Sequence, residues 1–171
     1  MDELKKIIRD IPDFPKPGII FRDITPIMED GPLFARVIEQ FRERYQSRDI
    51  DRIAGIEARG FIFGAAVAYA LQKGFVILRK EGKLPRKTIG VTYDLEYGTD
   101  SIQVHDDAIN HGDRVLLVDD LLATGGTASA ACDLIEKVGG VVVECAVVVE
   151  LAFLKGREKL RGVEVFSLVK Y

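Results

Sequence analysis

The sequence predicts an α/β fold in which helices flank a mostly parallel, twisted β-sheet. Continuous apolar runs such as residues 115–118 and 141–149 are typical of strands that are buried on both faces. These runs alternate along the chain with segments such as 34–45, whose apolar residues recur at helical spacing. This alternation favours parallel strands joined by helical crossovers.

The first 30 residues differ in character from the rest of the chain. Four of the six prolines fall here, beside apolar residues such as Phe14 and Phe21 that need burial. We therefore expect residues 1–30 to form an ordered but irregular hood over the main domain.

Residues 31–78 predict two helices and two strands. Gly31-Pro32 suits the start of a helix, because proline is tolerated in the first turn. Residues 61–71 are apolar around most of a helical circumference, which predicts a buried helix that Gly74 stops. The predicted elements are a helix from Gly31-Pro32 to Tyr45, a strand at 52–57, a helix at 61–71 and a strand at 75–78.

The remainder of the chain begins with a basic, loop-like stretch at 79–88. The partial alternation that follows predicts a hairpin of strands 89–95 and 101–104, which we expect to act as a flexible lid. The elements predicted after it are a strand at 115–118, a helix at 127–138, a strand at 141–149, a helix at 153–160 and a strand at 163–168.

The run 115–127 carries the strongest functional signal in the chain. A buried strand leads to two acids, then to a loop of glycines and hydroxyls, then to a helix. Glycines let backbone N–H groups approach an anion, threonines add hydroxyl donors, and the helix contributes its positive end. The loop lacks the Lys of a Walker A motif and the spacing of a dinucleotide-binding loop. The predicted phosphate-binding residues are Ala123, Thr124, Gly125, Gly126 and Thr127.

Asp119 and Asp120 stand directly before this loop. A carboxylate beside a phosphate is repelled by about 4 kcal/mol per charge pair near a protein surface. The acids are therefore expected to face hydroxyl groups, a divalent cation or a developing positive charge. A sugar phosphate offers all three.

Further polar groups are predicted at the same place, because the carboxyl ends of parallel strands meet at one edge of the sheet. Arg59 follows the strand at 52–57, and the run 79–87 carries five cations in nine residues. A guanidinium binds phosphate oxygens with paired donors, so both are candidates for holding a diphosphate. Glu150 and Leu151 reach the same edge from the next strand.

Length and composition exclude several classes of protein. A chain of 171 residues predicts one domain over residues 1–171. The net charge of −3 and the absence of a basic patch argue against a nucleic-acid partner, and no apolar run approaches a membrane span. The acidic start is unlike a secretion signal, and two cysteines form no disulfide framework. We expect a cytoplasmic protein with neither a membrane nor a nucleic-acid partner.

The run 115–127 resembles the phosphoribosyl-diphosphate (PRPP) signature of the type I phosphoribosyltransferases. The runs 13–26, 57–61, 79–85 and 95–98 extend the resemblance over essentially the whole chain, toward the members that use adenine. It implies the type I phosphoribosyltransferase fold and transfer of the phosphoribosyl group from PRPP to N9 of adenine, with inversion at C1. The products would be AMP and diphosphate. It also implies a homodimer in which the partner's basic loop reaches toward the active site, and Mg²⁺ held mainly by PRPP with no dedicated protein ligand.

The resemblance also implies roles for individual residues. The loop 123–127 would bind the 5′-phosphate, and Asp119 and Asp120 the ribose hydroxyls. Glu81 departs mildly from the family, which commonly has proline or a basic residue there. The diphosphate residues would be Arg59, Arg79, Lys80 and Lys83. The adenine residues would be Ile20, Phe21, Arg22 and Leu151. The lid residues would be Glu96 and Tyr97, and the catalytic set Glu96, Asp119, Asp120 and Arg59.

Two other functions stay open at this point. The first is a phosphoribosyltransferase for another purine base, although residues 147–153 offer Glu150 and Leu151 and no Lys to recognise a 6-oxo group. The second is a non-catalytic regulator that senses PRPP and binds nucleic acid, which would need a basic face.

Overall fold

The structure, a computed structural model, describes residues 2–94 and 98–171. Two of its strands form a small amino-terminal hairpin, and seven form the main sheet. The helices are α1 (Asp2–Ile7), α2 (Thr25–Glu29), α3 (Gly31–Tyr45), α4 (Gly60–Leu71) and α5 (Gly126–Lys137). The strands are β1 (Arg9–Pro12), β2 (Ile20–Asp23), β3 (Arg52–Ile56), β4 (Gly74–Lys80), β5 (Thr88–Asp94), β6 (Thr99–His105), β7 (Arg114–Leu122), β8 (Val141–Glu150) and β9 (Val165–Lys170).

The main sheet has the strand order β5-β6-β4-β3-β7-β8-β9. Neighbours from β4 through β9 pair in parallel, whereas β6 pairs antiparallel with both β4 and β5. The predicted α/β fold class and the hairpin after the basic run are therefore confirmed. Among the helices of the described ranges, none has the length and apolar character of a membrane span.

Hydrophobic cores lie on both faces of the sheet, which explains the continuous apolar runs of its central strands. On β7, Leu116 and Val118 pack into the core beneath α3 and α4, while Val115 and Leu117 pack into the core beneath α5. Successive side chains of a strand point to opposite faces, so a strand covered on both sides needs apolar residues at every position.

The structure corrects the predicted boundaries at the carboxyl end of β7. This strand continues to Leu122, so Asp119 and Asp120 lie within it and not after it. The extension arises because β8 keeps pairing with β7 as far as Leu122 opposite Glu150. The loop that follows is correspondingly short, and α5 begins at Gly126.

Helix α4 ends at Leu71, as predicted, but the residue that ends it is not Gly74. Gln72 adopts the left-handed conformation at its end (φ 55°), while Gly74 opens β4. It is not buried all round: Tyr69 is 87% exposed and Ile62 is 44% exposed. The apolar residues around the helix therefore predicted more burial than α4 has.

The first 30 residues contain more regular structure than the sequence predicts. They form α1, the β1–β2 hairpin and α2. Arg22 on β2 pairs with Asp10 on β1, and its guanidinium lies 4.1 Å from the centre of the Tyr171 ring. The helix predicted at 153–160 is instead two 3-10 turns, Ala152–Leu154 and Gly156–Lys159, separated by Lys155 at φ 53°.

A buried carboxylate ties α3 to the sheet. Glu144 on β8 is 1% exposed and accepts hydrogen bonds from Arg44 (3.1 and 2.6 Å) and Arg48 (2.8 Å). Burial by itself raises the pKa of Glu144, but the hydrogen bond from Arg44 and its other partners lower it overall.

Replacing this carboxylate should destabilise the protein. We expect Glu144→Gln to lower the free energy of unfolding by about 2 kcal/mol or more, because two guanidinium groups lose the charge that they surround. Denaturant unfolding measures the change. Glu39→Gln is the matched control, since it removes an exposed partner of Arg42 on the same helix and should leave the midpoint nearly unchanged. Equal midpoints for both variants would contradict the assignment.

Candidate active site

A cleft of about 280 Å³ opens at the carboxyl ends of β3 and β7. Its walls come from residues 56–59, which end and follow β3, and from residues 119–128, which end β7 and begin α5. The two strands are parallel neighbours, with Gly55 opposite Val118, so the segments after them lie side by side. The structure therefore brings together two motifs that are distant in the sequence.

The loop between β7 and α5 forms one wall of this cleft. Gly125 stands at the start of α5 with φ 80°, a conformation that favours glycine. The Thr127 hydroxyl donates a hydrogen bond to the Tyr93 hydroxyl on β5 (3.3 Å). With the positive end of α5 directly behind it, this loop has the geometry that favours an anion.

Asp119 and Asp120 form the floor between this loop and α4. An Asp119 carboxylate oxygen accepts the Asp120 backbone N–H (2.8 Å), and a Cβ at Gly60 would lie only 2.5 Å from that oxygen. Asp119 thus packs on the first residue of α4, where glycine leaves it room. Asp120 is 7% exposed and pairs with Arg59 Nε at 2.8 Å.

The charges of this pair are only partly balanced. Burial, and then the neighbouring Asp120 charge, raise the pKa of Asp119 well above its ordinary value, while Arg59 opposes the shift. Within the described ranges, Arg59 is the one cation that pairs with either acid. Hydroxyl donors or a cation entering the cleft would therefore relieve the repulsion between them.

Glu57 lines the cleft, and the sequence analysis quoted it within the run 57–61 without predicting a role for it. Its carboxylate accepts the backbone N–H of Lys80 (3.0 Å) and Arg79 Nε (3.2 Å), and it pairs with Lys83. Burial raises its pKa, but the hydrogen bonds from Lys83, Lys80 and Arg79 lower it to about 2. The sequence did carry a signal for this role. Glu57 directly follows β3, and the basic run 79–87 begins at the end of β4, the neighbouring parallel strand.

The predicted diphosphate residues are only partly assembled at the cleft. Arg59 lines it, whereas Arg79 and Lys83 are held by Glu57 at its margin. Lys80 pairs with Asp100 on β6 at 2.9 Å. Each of these cations is thus kept in place by a carboxylate.

The predicted adenine residues lie on two sides of the same region. The Phe21 ring centre is 5.3 Å from the Arg59 guanidinium carbon, so the hood borders the cleft. The Leu151 backbone N–H donates to the Leu122 carbonyl at the end of β7 (2.9 Å). The residues concerned are Ile20, Phe21 and Arg22 on β2, and Leu151 after β8.

The predicted lid residues Glu96 and Tyr97 lie outside the described residues. The strands that flank them are described, and Asp94 pairs with Thr99. The Tyr93 hydroxyl, just before this stretch, also contacts Asp100 at 3.4 Å. The described residues next to the turn of this hairpin therefore lie against the loop that follows β7.

A loop suited to an anion lies next to paired acids at the carboxyl edge of a parallel sheet, as expected from the resemblance to the phosphoribosyltransferases. The family model described as "Phosphoribosyl transferase domain" matches residues 26–168. The protein is 57% identical to an adenine phosphoribosyltransferase of Geotalea daltonii over the full length of both chains. It is 58% identical to that of Halothermothrix orenii, over 98% of this chain and 99% of the other.

Solved structures give the same result. The crystal structure of adenine phosphoribosyltransferase from Thermoanaerobacter pseudethanolicus superposes with a TM-score of 0.96 at 52% identity, over 99% of both chains. That from Saccharomyces cerevisiae, complexed with an imino-altritol bisphosphate and adenine, has a TM-score of 0.92 at 43% identity, over 98% of this chain and 97% of the other. The chain belongs to the adenine phosphoribosyltransferase family.

The pKa of Glu57 gives a prediction about acid stability. Its folded-state pKa of about 2 lies below the ordinary value of 4.5, so its stabilisation is complete above 4.5 and is lost as the pH falls toward 2. We expect the difference in unfolding free energy between wild type and Glu57→Gln to be constant near neutrality and to shrink over that range. Urea unfolding at a series of pH values measures it.

The control for this experiment is Glu81→Gln, the same change at an exposed position of the loop after β4, which also carries Lys83. It should lower stability little at any pH. A pH-independent difference between wild type and Glu57→Gln would contradict the role of these ion pairs.

Proposed function

We propose that this protein transfers the 5-phosphoribosyl group of PRPP to N9 of adenine, forming AMP and diphosphate in purine salvage. The single observation that carries the proposal is the cleft in which loop 123–127 adjoins Asp119 and Asp120. Its geometry supports a sugar phosphate as ligand, and the relatives named adenine phosphoribosyltransferase support adenine as the acceptor.

In this proposal the loop 123–127 binds the 5′-phosphate through its backbone N–H groups and the hydroxyls of Thr124 and Thr127. Asp119 and Asp120 accept hydrogen bonds from the ribose hydroxyls, which supplies the donors that the pair lacks. Arg59 faces the diphosphate from the other wall of the cleft. Arg79, Lys80 and Lys83 complete the diphosphate site from its margin.

The chemistry follows from where charge develops. Breaking the bond between C1 and the diphosphate leaves positive charge on the sugar and negative charge on the leaving group. Asp119 and Asp120 stabilise the former, and Arg59 with the other cations stabilises the latter. N9 of adenine attacks C1 from the opposite face and inverts it, so no covalent enzyme intermediate is required. The protein positions the reactants and excludes water that would hydrolyse PRPP.

Mg²⁺ enters the proposal together with PRPP. Among the described residues no group of three or more His, Cys, Asp or Glu side chains is placed to hold a metal ion. In the proposal the ion is bound mainly by PRPP oxygens, and Asp119 and Asp120 are the carboxylates that line the cleft. When bound, Mg²⁺ would neutralise charge on the diphosphate leaving group.

The base would lie between the hood and the end of β8. Backbone groups of Ile20 and Arg22 would read its edge, with Phe21 and Leu151 as apolar neighbours. Glu96 would assist proton transfer at the base, and Tyr97 would close over it as part of the lid. These two assignments rest on the family resemblance.

The proposal extends to the whole molecule. We expect one domain over residues 1–171, a homodimer, and a cytoplasmic location. The dimer, in which the partner's basic loop would reach the site, rests on the family resemblance. The net charge of −3 supports the expectation that neither nucleic acid nor membrane is a partner.

The direct test is formation of AMP from adenine and PRPP with and without Mg²⁺. We expect Mg²⁺-dependent AMP formation, and a strong preference for adenine when hypoxanthine and guanine compete. A preference for a 6-oxo purine would favour a different base specificity. Binding of PRPP without transfer to any base would favour a regulator and contradict the proposal.

The acid pair supplies a second test. We expect Asp119→Asn to lower kcat by more than about tenfold, equal to about 1.4 kcal/mol of transition-state stabilisation, because a neutral amide no longer stabilises the sugar cation. The thermal midpoint should not fall. Asp133→Asn, at an exposed position on α5, is the control and should keep full activity. Wild-type turnover in Asp119→Asn would refute the ribose assignment.

A further inference from the structure

The back of the loop after β7 rests on a segment that is distant in the sequence. This segment, here called the strap, comprises residues 152–159, the two 3-10 turns after β8. A Cβ at Gly125 would overlap the carbonyl oxygen of Gly156, and a Cβ at Gly156 would overlap that of Ala123. The two backbones are therefore in direct contact, with no space for a methyl group on either side.

The strap also contacts the first turns of α5. The Ser129 hydroxyl donates a hydrogen bond to the Lys159 carbonyl at 3.1 Å. The strap thus touches both the loop and the helix that follows it. Residues of both elements line the cleft.

An ion pair between the buried Glu150 and the half-exposed Arg157 fixes the strap in this position. Glu150, the last residue of β8, is 3% exposed and binds Arg157 with two hydrogen bonds of 2.7 Å, from Nε and Nη2. The Ser167 hydroxyl on β9 donates a third, also of 2.7 Å. Paired donors from one guanidinium fix direction as well as distance, so Arg157 holds its neighbour Gly156 against the loop.

Arg157 itself is not suited to bind the phosphate. Its guanidinium is directed at Glu150 and at the Val165 carbonyl (3.4 Å), and it does not line the cleft. Its effect on a ligand must therefore pass through the backbone contact of Gly156 with Ala123 and Gly125. The same contact explains how a glycine-rich loop, which is costly to order, keeps one shape.

We propose that Glu150 and Arg157 are positioning residues for binding of the 5′-phosphate. They hold the strap against loop 123–127, so that the loop has its binding conformation before PRPP binds. The inference rests on the proposed function and deepens it. Preorganisation of this kind improves affinity by lowering the ordering cost of binding. It predicts an effect on PRPP that adenine does not share.

The test uses Arg157→Lys, which keeps the charge and loses the paired hydrogen bonds, and Gly156→Ala, which intrudes on the loop directly. For both, we expect KM for PRPP to rise by about tenfold or more, while KM for adenine changes by less than about twofold. Ser167→Ala, which removes one hydrogen bond from Glu150, should shift KM for PRPP in the same direction by a smaller factor.

Arg42→Lys is the matched control. It makes the same change in an arginine paired with a glutamate on α3, at an exposed position away from the cleft. Unchanged KM for PRPP in both strap variants, or equal changes for both substrates, would overturn the inference, even if the thermal midpoint fell. If Arg157→Lys and Gly156→Ala do not fold, Ser167→Ala decides by the same criterion. Absence of AMP formation by the wild type would instead refute the proposed function.

Discussion

Asp119 and Asp120 stand side by side at the carboxyl edge of the sheet and, in the described part of the chain, share one cation, Arg59. The rest of the site depends on this imbalance. It is tolerated because Asp119 lies on the first residue of α4 and accepts the Asp120 N–H, which compensates part of its charge. A ligand rich in hydroxyl groups completes the balance, whereas a bare anion at the same point would increase the repulsion.

The groups suited to bind anions and the paired acids lie on different structural elements around the cleft. The loop after β7 offers neutral N–H and hydroxyl donors, which in the proposed function would bind a phosphate without forming ion pairs with the neighbouring acids. The cations beside the cleft are each held by a carboxylate: Arg79 and Lys83 by Glu57, and Lys80 by Asp100. Because their positions are fixed beforehand, the diphosphate of the proposed function would not have to order them on arrival.

The sequence predicted the features whose signals are local. The apolar run of β7, the glycines at 125 and 126 and the acids before them lie within one short stretch, and their chemistry specifies a phosphate loop. Contacts between distant segments carried no such signal. Glu57 meets Lys83 across 26 positions, and Gly125 meets Gly156 only because β8 pairs beside β7. The same pairing extends β7 past Asp119 and Asp120. The prolines of the first 30 residues predicted irregular structure, although β1 and β2 form a hairpin there.

The most direct test of this account is a crystal structure of the protein with AMP bound. The account predicts that the phosphate oxygens accept hydrogen bonds from the backbone N–H groups of residues 124–127, and that the ribose hydroxyls donate to Asp119 and Asp120. A phosphate seated elsewhere, or acids directed away from the ribose, would contradict it.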